Sequence, residues 1–208
     1  MPPANPQRRR ALADAAVALL AEQGAHGLTH RAVETRAGVP AGTATNYFRN
    51  REKLLIAAAE RIVSLHLTEA AQVTAEAEAA TQAAPANASP QGREDMVRAM
   101  VELLTASLWA AVTTLRERYL AIFELQLEAR RRPALAAALA GLTETAFAST
   151  AQLHEDLGTG ASPEEIGTLI TLYGGALFTL TMSPAELLDR SSVRALVEAM
   201  VRGALATR

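Results

Sequence analysis

"GVPAGTATNYFRNREKLL", residues 38–55, decides how this chain is read. Gly38, Pro40 and Gly42 make a turn, and the run behind them reads as a short helix. With Val39, Ala44 and Phe48 facing inward, Thr43, Thr45, Asn46 and Tyr47 face outward, and Arg49, Arg51 and Lys53 follow at once. Such a face offers directed hydrogen bonds where a merely solvated helix shows bland charge.

Upstream, Leu12, Ala16, Leu19 and Leu20 recur at helical spacing and Gly24 supplies a stop. Thr29 can cap a second helix, "HRAVETRA", which Gly38 ends, and Pro40 suits the first position of a third. Two short helices joined by a glycine turn form a helix-turn-helix, whose second helix enters the major groove while the first braces it. Threonine and asparagine contact base edges or phosphates, and tyrosine offers a phenol to a phosphate oxygen. The candidate DNA-contacting set is therefore Thr29, His30, Arg31, Thr43, Thr45, Asn46, Tyr47, Arg49, Arg51 and Lys53. Plainer uses stay open: Tyr47 as core, Thr29 as a cap only, Arg49 to Lys53 as a solvated face. Arg8 to Arg10 either reach a minor groove or fray.

Charge agrees with the motif. The net charge is −2, yet residues 1–61 hold nine Arg/Lys against five Asp/Glu, while 62–208 hold eleven against seventeen. Phosphate neutralisation is local, so a basic amino-terminal end serves DNA whatever the remainder carries. Cysteine is absent, which removes disulfides, thiolate metal sites and cysteine nucleophiles. No apolar signal segment opens the chain, and a cytoplasmic protein is expected.

Half of the 208 residues are apolar, enough for a sizeable core. Residues 1–8, with Pro2, Pro3 and Pro6, read as a flexible tail. Asn50 caps a long helix over about 51–80, and "QAAPANASPQG", 82–92, reads as a loop. Helices follow near 93–113, 114–131 and 134–157. "SPEE" at 162–165 is a capping box opening a helix to about Met182, "SPAE" at 183–186 opens a short turn, and Ser192 begins the last helix. No strand pattern or repeat is found, so the fold is expected to be all-α. Residues 166–182 carry no charge and reach the lower edge of membrane-spanning length. Four threonines, two adjacent glycines and acidic flanks favour instead a helix buried between its own core and a second copy, with Gly167, Thr171, Gly174, Gly175 and Phe178 at the contact.

The stretch from about Arg10 to Leu55 resembles the amino-terminal domain of the tetracycline-repressor (TetR) family. An apolar-alanine helix, Ala37-Gly38-Val39, Gly42, a short helix ending in Phe48, basic residues and Leu54-Leu55 occur in the family's order and spacing. Three positions depart from that pattern. Glu34 stands where a small residue is usual, and either caps the amides of Gly42 and Thr43 or points to solvent. Ala44-Thr45 replaces a Leu-Tyr pair, and Pro40 replaces a serine or threonine cap. The resemblance implies a helix-turn-helix domain over 9–53 and a ligand-binding and dimerisation domain over 54–208. It further implies a palindromic operator in double-stranded DNA, a homodimer and a small-molecule effector. Candidates for the effector pocket are Trp109, Tyr119, Phe123, Gln126, Phe147, His154 and Tyr173, each of which also serves as plain core. Glu124 and Glu128 either greet a cation or, for Glu128, pair with Arg131 and Arg132 on the helix surface.

No cofactor, metal or catalytic constellation is expected. His26 and His30 have metal-pair spacing, but Gly27 breaks the helix between them. The expectation is a one-component transcriptional regulator, a repressor, with an activator of the same family or a helical protein-binding scaffold without specific DNA readout as the alternatives.

Overall fold

The computed structural model describes residues 5–81, 90–156 and 158–204, with side chains from 5 to 68 and from 94 onward. Among them there is no strand. The helices are α1 (Pro6–Gly27), α2 (His30–Ala37), α3 (Thr43–Tyr47), α4 (Arg51–Thr81), α5 (Pro90–Val112), α6 (Arg116–Ala129), α7 (Pro133–Asp156), α8 (Pro163–Met182) and α9 (Arg190–Ala204), with a 3₁₀ turn over Ala185–Leu187. The all-α expectation holds.

Several starts and stops differ from the sequence reading. Residues 6–8 are helical rather than part of a tail, because Asn5 accepts the amides of Gln7 and Arg8 at 3.0 and 3.2 Å and Pro6 takes the first position. Pro40 is not the first residue of α3. It stands in the turn before it, where its carbonyl accepts the Thr43 amide at 3.2 Å, and Gly42 at φ 84° precedes the helix. Of the expected loop 82–92, residues 82–89 lie outside the described residues, and 90–92 already belong to α5. The last helix is capped by Asp189, not Ser192. Its carboxylate accepts from the Ser191 and Ser192 hydroxyls and the Ser192 amide, which hold its pKa down at about 2. Thr29, Asn50 and Ser162 cap as expected, the last in a full capping box with Glu165.

The chain divides into two compact units. The first is Met1–Glu69 with Glu117–Leu142, and the expected boundary at 53/54 falls inside it. Its core joins Leu12, Leu20, Leu28, Val33, Phe48, Leu54 and Ile62 to Ile122 and Leu125 of α6 and Leu135 of α7. The second unit is Ala70–Arg116 with Thr143–Arg208. There α9 packs on both α5 and α8 through Val193, Val197, Met200 and Val201. A hydroxyl pair, Ser107 with Tyr173 at 2.9 Å, and Arg116 donating to the Ser183 carbonyl at 2.6 Å set α5 and the start of α6 against α8. By length and composition α7 and α8 could each cross a membrane. In the fold, α8 turns Ile166, Leu169, Leu177 and Thr181 inward.

Gly24 does not end α1; it bends it. Its φ of 64° and ψ of −173° break the helix, which then makes one further turn to Gly27. That conformation belongs almost to glycine alone. A Cβ there would also lie 3.2 Å from a Glu124 carboxyl oxygen. Gly24→Ala is therefore expected to lower unfolding free energy by about 1–3 kcal/mol, read from urea denaturation of the variant beside the parent chain.

Candidate nucleic-acid interface

The α2–α3 unit is built by local caps and three long-range tethers. Thr29 accepts the Ala32 amide at 3.1 Å to start α2, and Gly38 in the left-handed region at φ 64° ends it. His30 Nε2 donates to the Phe48 carbonyl at 2.6 Å, so that nitrogen carries a proton and the start of α2 is tied to the end of α3. Glu34 is buried and its Oε1 accepts the Ala44 amide at 2.8 Å. The alternatives of capping Gly42 and Thr43 or pointing to solvent both give way to this bond. The Asn5 amide donates to the Tyr47 hydroxyl at 3.1 Å, fastening the start of α1 to α3.

With Ala44 and Phe48 buried, Thr45 and Asn46 are exposed side by side, and Arg49 and Lys53 are exposed beyond them. Thr29 and Arg31 are exposed at the start of α2. Tyr47 is half-buried against the core; its oxygen accepts from Asn5, which leaves the phenolic proton to donate. Tyr47, Arg49 and Lys53 share with Arg9 an open depression of about 290 Å³. Thr43 is turned back on itself, its hydroxyl donating to the Pro40 carbonyl at 2.6 Å.

The cations sort into engaged and free. Arg9 pairs with Glu60 at 3.3 Å and lies 5.7 Å from the Phe48 ring centre. Arg36 meets Glu22 through two bonds of 2.6 and 2.8 Å, which lowers the Glu22 pKa. Arg51, expected on the phosphate side, is instead turned inward. Its Nε donates to the Leu28 carbonyl at 3.3 Å and its Nη2 to the Ala25 carbonyl, at the end of α1 where carbonyls lack the amides of a further turn. Arg8, Arg10, Arg31, Arg49 and Lys53 have no ion-pair partner among the described residues. His30 and Thr43 likewise serve the fold directly, a use that residue type alone did not separate from DNA contact.

The candidates for the effector pocket are divided between the two units. Tyr119 and Phe123 belong to the first unit, where Tyr119 stacks edge-on with His66 at 5.7 Å. Trp109, His154 and Tyr173 belong to the second. Gln126 is exposed because α6 buries the stripe Ala121, Ile122 and Leu125, and Phe147 is 44% exposed on α7. Glu124 has a use inside the protein: its Oε2 accepts the Ala25 amide at 2.9 Å. Glu128 pairs with Arg132 at 2.9 Å, which holds its pKa below the ordinary value. His154 is buried, with Nδ1 2.8 Å from the Thr159 hydroxyl and Nε2 unpartnered.

Both halves of the chain match one family. Residues 12–58 match the bacterial regulatory proteins of the tetR family, and residues 91–207 match the tetracyclin repressor-like C-terminal domain. The chain belongs to the TetR family. It is thus a DNA-binding transcriptional regulator with a helix-turn-helix. Among solved TetR-like structures, a putative TetR-family regulator from Mesorhizobium loti MAFF303099 is 19% identical, with TM-score 0.69 over 96% of each chain. A TetR-family member from Streptomyces coelicolor A3, SCO1917, is 26% identical, with TM-score 0.59 over 94% of this chain and 98% of that one. The multidrug binding protein EbrR complexed with ethidium is 25% identical, with TM-score 0.59 over 94% and 99%. No curated protein sequence matches.

The sorting of cations within this TetR-family chain separates two kinds of arginine by experiment. Arg49→Ala should weaken binding to every duplex alike and reduce the salt slope by about one, whereas Arg51→Ala should leave that slope unchanged and lower the melting temperature. Fluorescence anisotropy across a salt series, with thermal melts alongside, reads both. The buried His154 gives a pH dependence. Burial pushes its pKa below the ordinary value of 6.5, against an opposing pull from Glu165. The unfolded chain then binds a proton that the folded chain does not, so stability should fall as pH drops below about 6.5. Urea midpoints between pH 8 and 5 should show this slope, and His154→Gln should flatten it.

Proposed function

We propose that the chain is a repressor that binds a palindromic operator as a homodimer and is released from it by a small-molecule effector, in the cytoplasm. The observation that carries the DNA half of this reading is the exposed face of α3. Thr45 and Asn46 are exposed there, and the flanking Arg49 and Lys53 are free of ion pairs among the described residues. Base edges suit the first two and phosphates the second two, with Arg31, Thr29 and the phenolic proton of Tyr47 as further phosphate contacts. A protein-binding scaffold has no need of this pairing of amide, hydroxyl and unpaired cations.

The second copy is supported by α8. Thr171, Gly174, Gly175 and Phe178 are exposed, and a Cβ added at Gly167, Gly174 or Gly175 would meet nothing within 4 Å. Packing among the described residues therefore gives no reason for these glycines. Two recognition helices on one face of DNA need a separation of about 34–36 Å or a multiple of it. For the effector, support comes from EbrR, which is described as a multidrug binding protein and is complexed with proflavin and with ethidium. Within the first unit, α6 touches the DNA-binding helices directly through Glu124 on the Ala25 amide, a contact by which movement of α6 would reach α2. A switch from mostly bound to mostly free requires about 10⁴-fold preference for the released state.

Selection of bound fragments from genomic DNA of the source organism is expected to yield an inverted repeat. Phe178→Glu should turn a dimer into a monomer in light scattering and weaken operator binding while leaving random-duplex binding per chain intact. Enriched sites without twofold symmetry, or a Phe178→Glu variant that stays dimeric, would remove the palindrome or the α8 interface from this reading.

A further inference from the structure

The recognition helix is five residues long, far below the length at which a helix holds itself together in water. Its direction is therefore set by its tethers. At its start the usual device is missing: the preceding residue, Gly42, has no side chain and sits at φ 84°, and Pro40 offers only a carbonyl, already taken by the Thr43 amide and hydroxyl. The next amide, that of Ala44, would be buried without a partner. Glu34 supplies one from α2: its side chain is 6% exposed, and Oε1 lies 2.8 Å from the Ala44 nitrogen. The Ala44 carbonyl is fixed in turn by the Phe48 amide at 2.8 Å, and the Phe48 carbonyl by His30 of α2. Both ends of α3 thus hang from α2, and the two exposed readers, Thr45 and Asn46, follow Ala44 directly.

We propose that Glu34 is a positioning residue for DNA readout: its buried carboxyl caps α3 from the neighbouring helix and fixes the angle at which Thr45 and Asn46 are presented. The inference rests on the DNA-binding reading above. A carboxyl group buried against apolar neighbours is unfavourable unless it is hydrogen-bonded, and the Ala44 amide meets that need while gaining its own partner. The bond sets orientation and adds nothing to phosphate neutralisation, so its loss should act on discrimination between sequences and leave general affinity alone.

The test uses the full chain with three variants. Glu34→Met keeps the length without the acceptor, Glu34→Gln keeps an acceptor oxygen, and Glu34→Asp draws it back by one methylene. Duplexes enriched from a random pool by the parent chain serve as the specific probe, and the unselected pool as the nonspecific one. Glu34→Met should reduce the ratio of specific to nonspecific affinity by about tenfold, the scale of a lost helix cap, with the salt slope and pool affinity unchanged. Glu34→Gln should restore most of the ratio, and Glu34→Asp should lie between. Amide hydrogen exchange in the free protein should show Ala44 protected in the parent and Gln chains and fast in the Met chain. A parent chain that enriches no sequence would overturn the DNA reading and the positioning role with it. A parent chain that enriches one while Glu34→Met keeps the ratio would overturn the positioning role alone. Should Glu34→Met fail to fold, a full ratio in Glu34→Asp, or a fast-exchanging Ala44 in the parent, overturns the role.

Discussion

A bend inside a packed helix leaves peptide groups that must find other partners. In α1 the bend at Gly24 frees the Ala25 amide, and the helix end just after it presents the carbonyls of Ala25 and Leu28; all three are met by side chains. Glu124 of α6 takes the amide; Arg51, the first residue of α4, takes both carbonyls. A buried polar group left unpaired costs about 1–3 kcal/mol, so this junction is held far more firmly than a solvent-facing turn. Helices α1, α4 and α6 meet there, and α2 begins directly after Leu28. The shared core of Leu28, Ile122 and Leu125 follows from the same meeting. It makes α6 part of the body that carries α3, although α6 lies some seventy residues further along the chain.

The same economy governs charge. Of the acids before residue 62, Asp14, Glu22 and Glu60 pair with Arg61, Arg36 and Arg9, and Glu34 is turned onto an amide. What remains in this region is Glu52 beside Arg8, Arg10, Arg31, Arg49, Lys53 and the inward Arg51. The local positive charge is thus carried by cations on the surface around α2 and α3, where counterion release from phosphates can use them. Net charge over the whole chain, at −2, hides this because residues 62–208 hold seventeen Asp/Glu against eleven Arg/Lys.

What was legible in the sequence was mostly what is local. Thr29, Gly38, Asn50 and the Ser162–Glu165 box act within four residues of themselves, so the residue types announce the geometry. Of the motif's inward set, Val33, Ala37, Val39, Ala44 and Phe48, which followed from spacing, Val33, Ala44 and Phe48 are buried and Ala37 and Val39 half-buried. The readings that needed correction depend on distant partners. Arg51 has a long apolar stem and a charged tip, and periodicity fixes where the stem starts, not which way the tip turns. Glu124 meets Ala25 across 99 positions. Pro40 suited a helix start by type, but the turn through Gly42 displaced the start to Thr43. For Asp189, three polar residues within four positions, Asp189, Ser191 and Ser192, could each cap, and the carboxylate outcompeted the serines by accepting from both. In α6 and α7 alanine and leucine are so common that more apolar residues occur than the chain can bury, which is why aromatic or large residues such as Phe147 were poor guides to an interior site.

The outer face of α8 shows how an exposed surface can be read energetically. Glycine inside a helix is about 1 kcal/mol less favourable than alanine, and three occur here with open space where a side chain would stand. Thr171 and Thr179 donate their hydroxyl protons to the carbonyls of Gly167 and Gly175 at 2.8 and 3.0 Å. Those side chains have spent their donors on their own helix, so the face is more apolar than its composition suggests. Leu172, Phe178 and Met182 are 43–49% exposed along the same helix. Small residues, satisfied hydroxyls and large apolar side chains together suit close approach by another helix. On the proposed reading, in which DNA-binding helices come one set per chain, a second copy of α8 is the partner that would offset the helical penalty, and its chain would supply the second recognition helix.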